Sequence, residues 1–265
     1  MSHLIGRGLG FKREGRSILQ QIDLHIEAGE MLGLIGPNGA GKSSLLRLLA
    51  GVTAADTGTL TLAGKPVSQL TPKSRAQQIA YLPQLTEIAW PMSVERLVSL
   101  GRLPHLEDWQ QATPEDEAAI EKVIHQTDLT AFRNRPYNTL SGGEQARVQL
   151  ARALVTEADI LLADEPVSAL DPAHQLDVMA LLQAYVQAGH GVIIVLHDLA
   201  LAAHYCNRLQ LLHQGRTLAE GQAEQVLTDH HLEAAYGIAI NPPAAQSGHG
   251  FALPWRRIEA DEKES

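Results

Sequence analysis

Apolar and polar positions alternate early in the chain. Ile18, Ile22, Leu24 and Ile26 keep a largely two-residue period, which predicts a strand with one buried face. Met31 to Ile35 is a short unbroken apolar run that stops at a glycine-rich loop, the pattern of a parallel strand buried on both faces. Thr59 to Ala63 predicts a further strand, ended by Gly64, so residues 1–87 read as mostly strands. The period then changes. Val94, Leu97, Val98 and Leu100 fall at helical spacing. Thr113-Pro114 followed by Glu115, Asp116 and Glu117 is a helix start, with Thr as cap, Pro at the first position and acids against the helix dipole. Ala119, Ile120, Val123 and Ile124 give that helix its apolar face, and residues 88–155 predict a helical insertion.

From Asp159 strands and helices alternate again. Ile160 to Ala163 predicts a strand, Pro172 to Val186 a helix capped by Asp171, Val192 to Leu196 a strand, and a helix follows from Leu199. Such alternation implies a parallel sheet. Arg208 to Leu212 and Thr217 to Glu220, joined by His213-Gln214-Gly215-Arg216, predict a hairpin. The expected organisation is an α/β core with an antiparallel β subdomain and a helical insertion over residues 1–240. A C-terminal extension follows over 241–265, frayed at Glu259 to Ser265.

Composition narrows the classes. Of 265 residues 45% are hydrophobic and 19% charged, ordinary values for a globular protein. A net charge of -9 argues against a nucleic-acid partner, which calls for a basic excess. The single cysteine, Cys206, forms no intrachain disulfide and fits a reducing compartment. Neither a signal-peptide apolar region nor an apolar run of membrane-spanning length is present, so the expected location is cytoplasmic and any membrane role comes through a partner.

Three motifs carry chemistry. Gly36-Pro37-Asn38-Gly39-Ala40-Gly41-Lys42-Ser43 fits the phosphate-binding pattern G-x-x-x-x-G-K-[ST], after a strand and before a helix that continues with Ser44. Glycines let backbone N–H groups turn around phosphate oxygens, and the helix N-terminus adds partial positive charge. Lys42 is the candidate for the β- and γ-phosphates of ATP and Ser43 for Mg²⁺. Ile160 to Ala163 delivers Asp164 and Glu165 to a sheet edge. Asp164 is the candidate for the Mg²⁺ shell and Glu165 for the base that takes a proton from water, although buried strands often end in acids for structural reasons. Ser141-Gly142-Gly143-Glu144 opens a further helix with exposed N–H groups, a second phosphate-binding terminus. One triphosphate already has its site, so the second terminus points to a nucleotide on another subunit.

With Leu140 to Gln145 the chain resembles the ATP-binding subunits of ABC transporters, over residues 4–236. The resemblance implies a homodimer that closes over two ATP molecules, each signature Ser141 facing the partner's Lys42 site. It implies that Gln84 in Tyr81-Leu82-Pro83-Gln84 touches Mg²⁺ and couples to an integral membrane permease. Ser168-Ala169-Leu170-Asp171 matches the loop that lies across the dimer interface, and His197 the switch that senses the γ-phosphate. Phe11 stands where the family usually has an adenine-stacking tyrosine; a core role is the alternative. Val167 and Ala146 depart from the family's usual Thr and Gln. Met92 to His105 and His197 to Ala203 resemble the subfamily serving importers of iron–siderophore, haem and cobalamin, with a periplasmic binding protein as indirect partner and the subunit peripheral on the cytoplasmic side of the membrane. Two rival classes stay open: a soluble non-transport ABC ATPase, and the ATPase of an exporter or lipid-trafficking system.

Overall fold

The computed structural model describes residues 3–84, 90–107, 111–168, 170–240 and 255–257. Ala169 and most of the expected C-terminal extension lie outside the described residues. The chain opens with β1 (Leu4–Arg13) and β2 (Arg16–Ile26), then β3 (Met31–Ile35) and α1 (Lys42–Leu49). β4 (Thr57–Leu62), β5 (Lys65–Pro66), α2 (Pro72–Gln78) and β6 (Ile79–Leu82) follow. The helical stretch holds α3 (Val94–Ser99), α4 (Pro114–Gln126) and α5 (Gly142–Leu154). β7 (Ile160–Asp164), α6 (Pro172–Gln187), β8 (Gly191–Val195) and α7 (Leu199–Tyr205) restore the α/β pattern. The chain then runs through β9 (Arg208–His213), β10 (Arg216–Gly221), α8 (Ala223–Val226), α9 (Asp229–Tyr236) and β11 (Ile238–Ile240). β12 (Trp255–Arg257) pairs antiparallel with β11 across the expected 240/241 boundary.

The strands form an antiparallel sheet, β2-β1-β4-β5, and a six-stranded sheet, β10-β9-β3-β8-β7-β6, parallel except for β10. Alternate residues of the central strands serve two cores. Leu32, Leu34, Leu162, Ile193 and Val195 face α1 and the antiparallel sheet. Met31, Ile35, Leu161, Val192 and Ile194 face the cluster built with the helical stretch, α6 and α7. Both faces are covered, so the parallel strands read as apolar runs in the sequence.

Local differences from the sequence pattern have identifiable causes. The expected strand at Thr59 starts at Thr57 and ends at Leu62, because Ala63 and Gly64 turn with φ of 48° and 77°. Leu100 leaves the helical period: α3 ends at Ser99, and Leu100–His105 is a tighter 3₁₀ segment. Gly101 lies so close to α5 that a Cβ would strike the Arg152 carbonyl, and Pro104 cannot continue an α-helix. α2, absent from the expected elements, starts at Thr71, whose hydroxyl accepts the Ser74 N–H at 3.1 Å.

Candidate functional site

Four neighbouring parallel strands end at one edge of the sheet. β3 runs into the glycine-rich loop, β8 stops before His197, β7 ends in Asp164, and β6 ends two residues before Gln84. Parallel pairing therefore brings together residues far apart in sequence, at the edge where open α/β sheets bind ligands.

The loop from Gly36 to Gly41 is held by its neighbours. Gly36 has φ 144°, and a Cβ would strike the Leu212 carbonyl of β9. Gly41 has φ 103°, with a virtual Cβ 2.7 Å from a Leu19 methyl. Both positions require glycine for conformation and for space. The Gly215 N–H of the β9–β10 turn donates to Ala40 O at 3.2 Å. Gly41 is the cap of α1 and offers no side-chain cap, and the first turn of α1 holds no acid. The first-turn N–H groups are thus available to an anion. Ala40 is buried, whereas Asn38 and Gly39 at the loop's crest are exposed; Pro37, Ser43 and Ser44 are half-buried.

Lys42 is 5% exposed, and its Nζ donates to Gly36 O at 2.7 Å and Pro37 O at 3.1 Å. Burial pulls its pKa down, while Glu165 and Asp164 nearby push the other way. Among the described residues the ammonium's hydrogen-bond acceptors are these two carbonyls, and polyphosphate oxygens are stronger acceptors for it. Ser43 Oγ donates to Asp164 Oδ1 at 3.0 Å. Burial raises the Asp164 pKa; the Ser43 hydrogen bond opposes that shift.

Glu165 takes φ 52°, a left-handed conformation that turns the chain sharply after β7. Ser168 secures the turn, its hydroxyl donating to Glu165 O at 3.1 Å. Both carboxylate oxygens are engaged: Gln84 Nε2 donates to Oε2 at 2.6 Å, and His197 Nε2 lies 2.5 Å from Oε1. The carboxylate is 13% exposed and the imidazole 43%, so the group stands at the mouth of the site. The carboxylate can accept a proton and the imidazole can donate a hydrogen bond to an incoming anion.

Phe11 pairs with Leu19 across the β1–β2 ladder and is half-buried against the core around Leu19, which also touches Gly41. The signature residues stand apart. Ser141 and Glu144 close a reciprocal capping box: Ser141 N donates to Glu144 Oε2 at 2.7 Å, and Glu144 N to Ser141 Oγ at 3.4 Å. Ser141 and Gly142 are exposed, and a Cβ on Gly143 would lie 3.4 Å from Leu170. The site thus gathers Lys42, Ser43, Gln84, Asp164, Glu165 and His197, while Ser141 to Glu144 make no hydrogen bond to them among the described residues.

Two glutamines without a stated role, Gln145 at the end of the signature stretch and Gln175 in α6, support these loops. Gln145 Nε2 donates to Tyr137 O and Leu140 O at 3.3 and 3.2 Å. Gln175 Nε2 donates to Val167 O and Leu170 O at 3.1 and 3.2 Å. Each stands four residues after a capping residue, Ser141 or Asp171, and that shared spacing is the signal that finds them.

A family model for the ABC transporter matches residues 19–168. With a phosphate loop, paired strand-end acids and a signature helix on this fold, the chain belongs to the ABC transporter family as an ATP-binding, ATP-hydrolysing subunit. Within the family it is similar to the hemin import ATP-binding protein of Streptomyces coelicolor, 41% identical over 252 residues, covering 94% of this chain and 89% of that one. The protein of the same name from Pseudomonas putida is 40% identical over 252 residues, covering 93% and 97%. A solved structure of a metal-chelate type ABC transporter in an inward-facing conformation superposes with a TM-score of 0.82 at 26% identity, covering 99% of this chain and 100% of that one.

Proposed function

We propose that the chain works as a homodimeric ATPase on the cytoplasmic side of a membrane, driving a permease that imports haem or a related iron chelate. The observation that carries the reading is Glu165, held between Gln84 and His197 beside Lys42 and the Ser43–Asp164 pair. The import reading rests on the hemin import relatives. No described helix is long and apolar enough to cross a membrane, so passage of the cargo belongs to a partner. The cargo is delivered by a periplasmic binding protein and does not touch this subunit.

In the reaction, ATP and water give ADP and phosphate. Lys42 leaves the Gly36 and Pro37 carbonyls and takes the β- and γ-phosphate oxygens, and N–H groups of residues 38–44 surround the phosphates. Phe11 stacks on adenine. Ser43 and Asp164, a hydroxyl and a carboxylate already within hydrogen-bond distance, are a hard-oxygen pair suited to Mg²⁺, and Gln84, bonded to the adjacent Glu165, is the third candidate. When bound, Mg²⁺ supplies neutralisation of charge on the phosphates. Glu165 orients the attacking water and takes its proton, and His197 turns to the γ-phosphate. Ser141 to Glu144 cap the γ-phosphate of the opposite subunit, so ATP favours the closed dimer and its hydrolysis opens it.

Glu165→Gln tests the assignment. Hydrolysis is expected to fall by about 10²-fold, the scale of a lost general base, while ATP binding persists. Size-exclusion chromatography with Mg-ATP should then show a trapped dimer. A fully active monomer would reduce Glu165 to a structural strand-end acid.

A further inference from the structure

The tip of the β1–β2 hairpin concentrates positive charge on a chain whose net charge is -9. Glu14 and Gly15, with φ of 50° and 77°, form a two-residue turn that fixes the register. Arg13 is thereby placed directly opposite Arg16. Like charges in that position repel, and among the described residues their one ion pair is a long one to Glu14. Arg13 has only an exposed contact of 3.9 Å with Glu14, a geometry worth little. The Arg16 side chain makes no hydrogen bond or ion pair among the described residues.

The face on which the pair stands gives the charge a direction. The ladder carries a bulge between the Phe11–Leu19 and Lys12–Ser17 pairs, with Ile18 of β2 as the inserted residue; β1 gains none there, so its own alternation keeps Arg13 on the face of Phe11, with Arg16 opposite it. Phe11 is opposite Leu19, and Leu19 touches Gly41 of the phosphate loop. The two guanidinium groups therefore extend the face that packs on the nucleotide loop, about 7 Å beyond Phe11. Lys12 stands on the opposite face, and its backbone N–H donates to Asp56 at 2.6 Å. ATP brings several negative charges to that edge, and the unopposed pair is a complement to them.

We propose that Arg13 and Arg16 form a cationic rim that draws the polyphosphate of ATP into the Lys42 loop; this rests on the nucleotide-site reading above. Glu14 is the one acid at the turn, and it is 87% exposed, so it screens the pair weakly. Arginine suits the role because its guanidinium stays charged at every working pH and so attracts the polyphosphate at a distance.

The test is the affinity of the full chain for a fluorescent ATP analogue at low and high ionic strength. A double variant, Arg13→Gln with Arg16→Gln, is expected to bind about three- to tenfold more weakly at low salt, with the difference closing near 1 M salt. Lys12→Gln, one residue away on the other face, is expected to change affinity by less than about twofold. Unchanged affinity of the folded double variant at both salts overturns the rim, as does an equal loss in Lys12→Gln, which would mean a diffuse field. Lys42→Ala, measured alongside, separates the two readings. Normal binding there defeats the nucleotide site itself; lost binding there with none lost in the double variant defeats only the rim.

Discussion

Phe11 is half-buried, with Leu19 across the ladder and the phosphate loop behind Leu19. A core phenylalanine is expected to be fully enclosed, as Leu4 and Leu9 on the same strand are, so the partial exposure favours the stacking role over the packing one. Loss of a stacking partner costs about 1 kcal/mol. Phe11→Ala is therefore expected to raise the KM for ATP about five- to tenfold, with the cleavage step largely preserved. Steady-state kinetics on the folded variant read this directly, and unchanged nucleotide affinity would return Phe11 to the core. The tyrosine hydroxyl usual in the family is absent here, so Phe11→Tyr should bind ATP at least as well. Single residues were unequally legible. Lys42 and Ser43 follow from spacing alone, because the loop's geometry admits few residue types. His197 did not: eleven other histidines share its chemistry, and the sequence singles it out only through its place after the Val192–Leu196 strand in the family pattern; the structure adds its 2.5 Å contact with Glu165.

At the scale of elements, the start of α4 shows what periodicity can and cannot deliver. The Thr113 cap, Pro114 and the acids behind them were readable, and the capping box is present. The three acids look alike in the sequence, yet Asp116 alone is buried, with Glu115 and Glu117 exposed. The reason is Arg102, 8% exposed, whose Nε donates to Asp116 Oδ1 at 2.7 Å. Its Nη1 reaches Val155 O at 3.0 Å and Glu157 at 2.9 Å, so one guanidinium joins the 3₁₀ segment, α4 and the end of α5. Such a contact spans more than fifty residues and leaves no period or local motif behind. Burial works to raise the Asp116 pKa, but hydrogen bonds from Thr113 and Arg102 outweigh it and hold the carboxyl below its usual range. A lowered carboxyl pKa adds stability above the unfolded value near pH 4, and that stability is lost as pH falls through the folded value. Asp116→Asn is expected to cost about 3 kcal/mol at pH 7, the low end for a broken buried pair because Arg102 keeps other partners. Urea unfolding at several pH values should show the gap between variant and parent narrowing below about pH 4. A gap that stays constant with pH would assign the loss to packing.

For the whole molecule, the parallel sheet explains why one edge does the chemistry while an adjoining surface is left for a partner. β6 carries Gln84 to Glu165; farther along the chain Trp90 is 75% exposed and Leu103, in the 3₁₀ segment, 58%. Large exposed apolar side chains in the segment that follows Gln84 in the chain fit a docking surface for the proposed permease. Gln84 precedes that segment and has its amide on the carboxylate of the proposed base, Glu165, at 2.6 Å. Its removal leaves the Lys42 loop and the Ser43–Asp164 pair intact, so ATP should still bind. What should fail is the link by which cargo and permease change the rate of hydrolysis. Gln84→Ala is accordingly expected to reduce transport, and cargo stimulation of ATPase activity, by about tenfold, a coupling free energy in the usual range of 1–3 kcal/mol, with nucleotide affinity changed less than about threefold. The paired measurement is ATP affinity of the subunit and haem uptake by proteoliposomes holding the permease partner. Equal losses in both would make Gln84 a nucleotide ligand and nothing more. Full uptake and stimulation in the variant would move the coupling to another path across the same surface, with Trp90→Ala as the next substitution to fail or succeed.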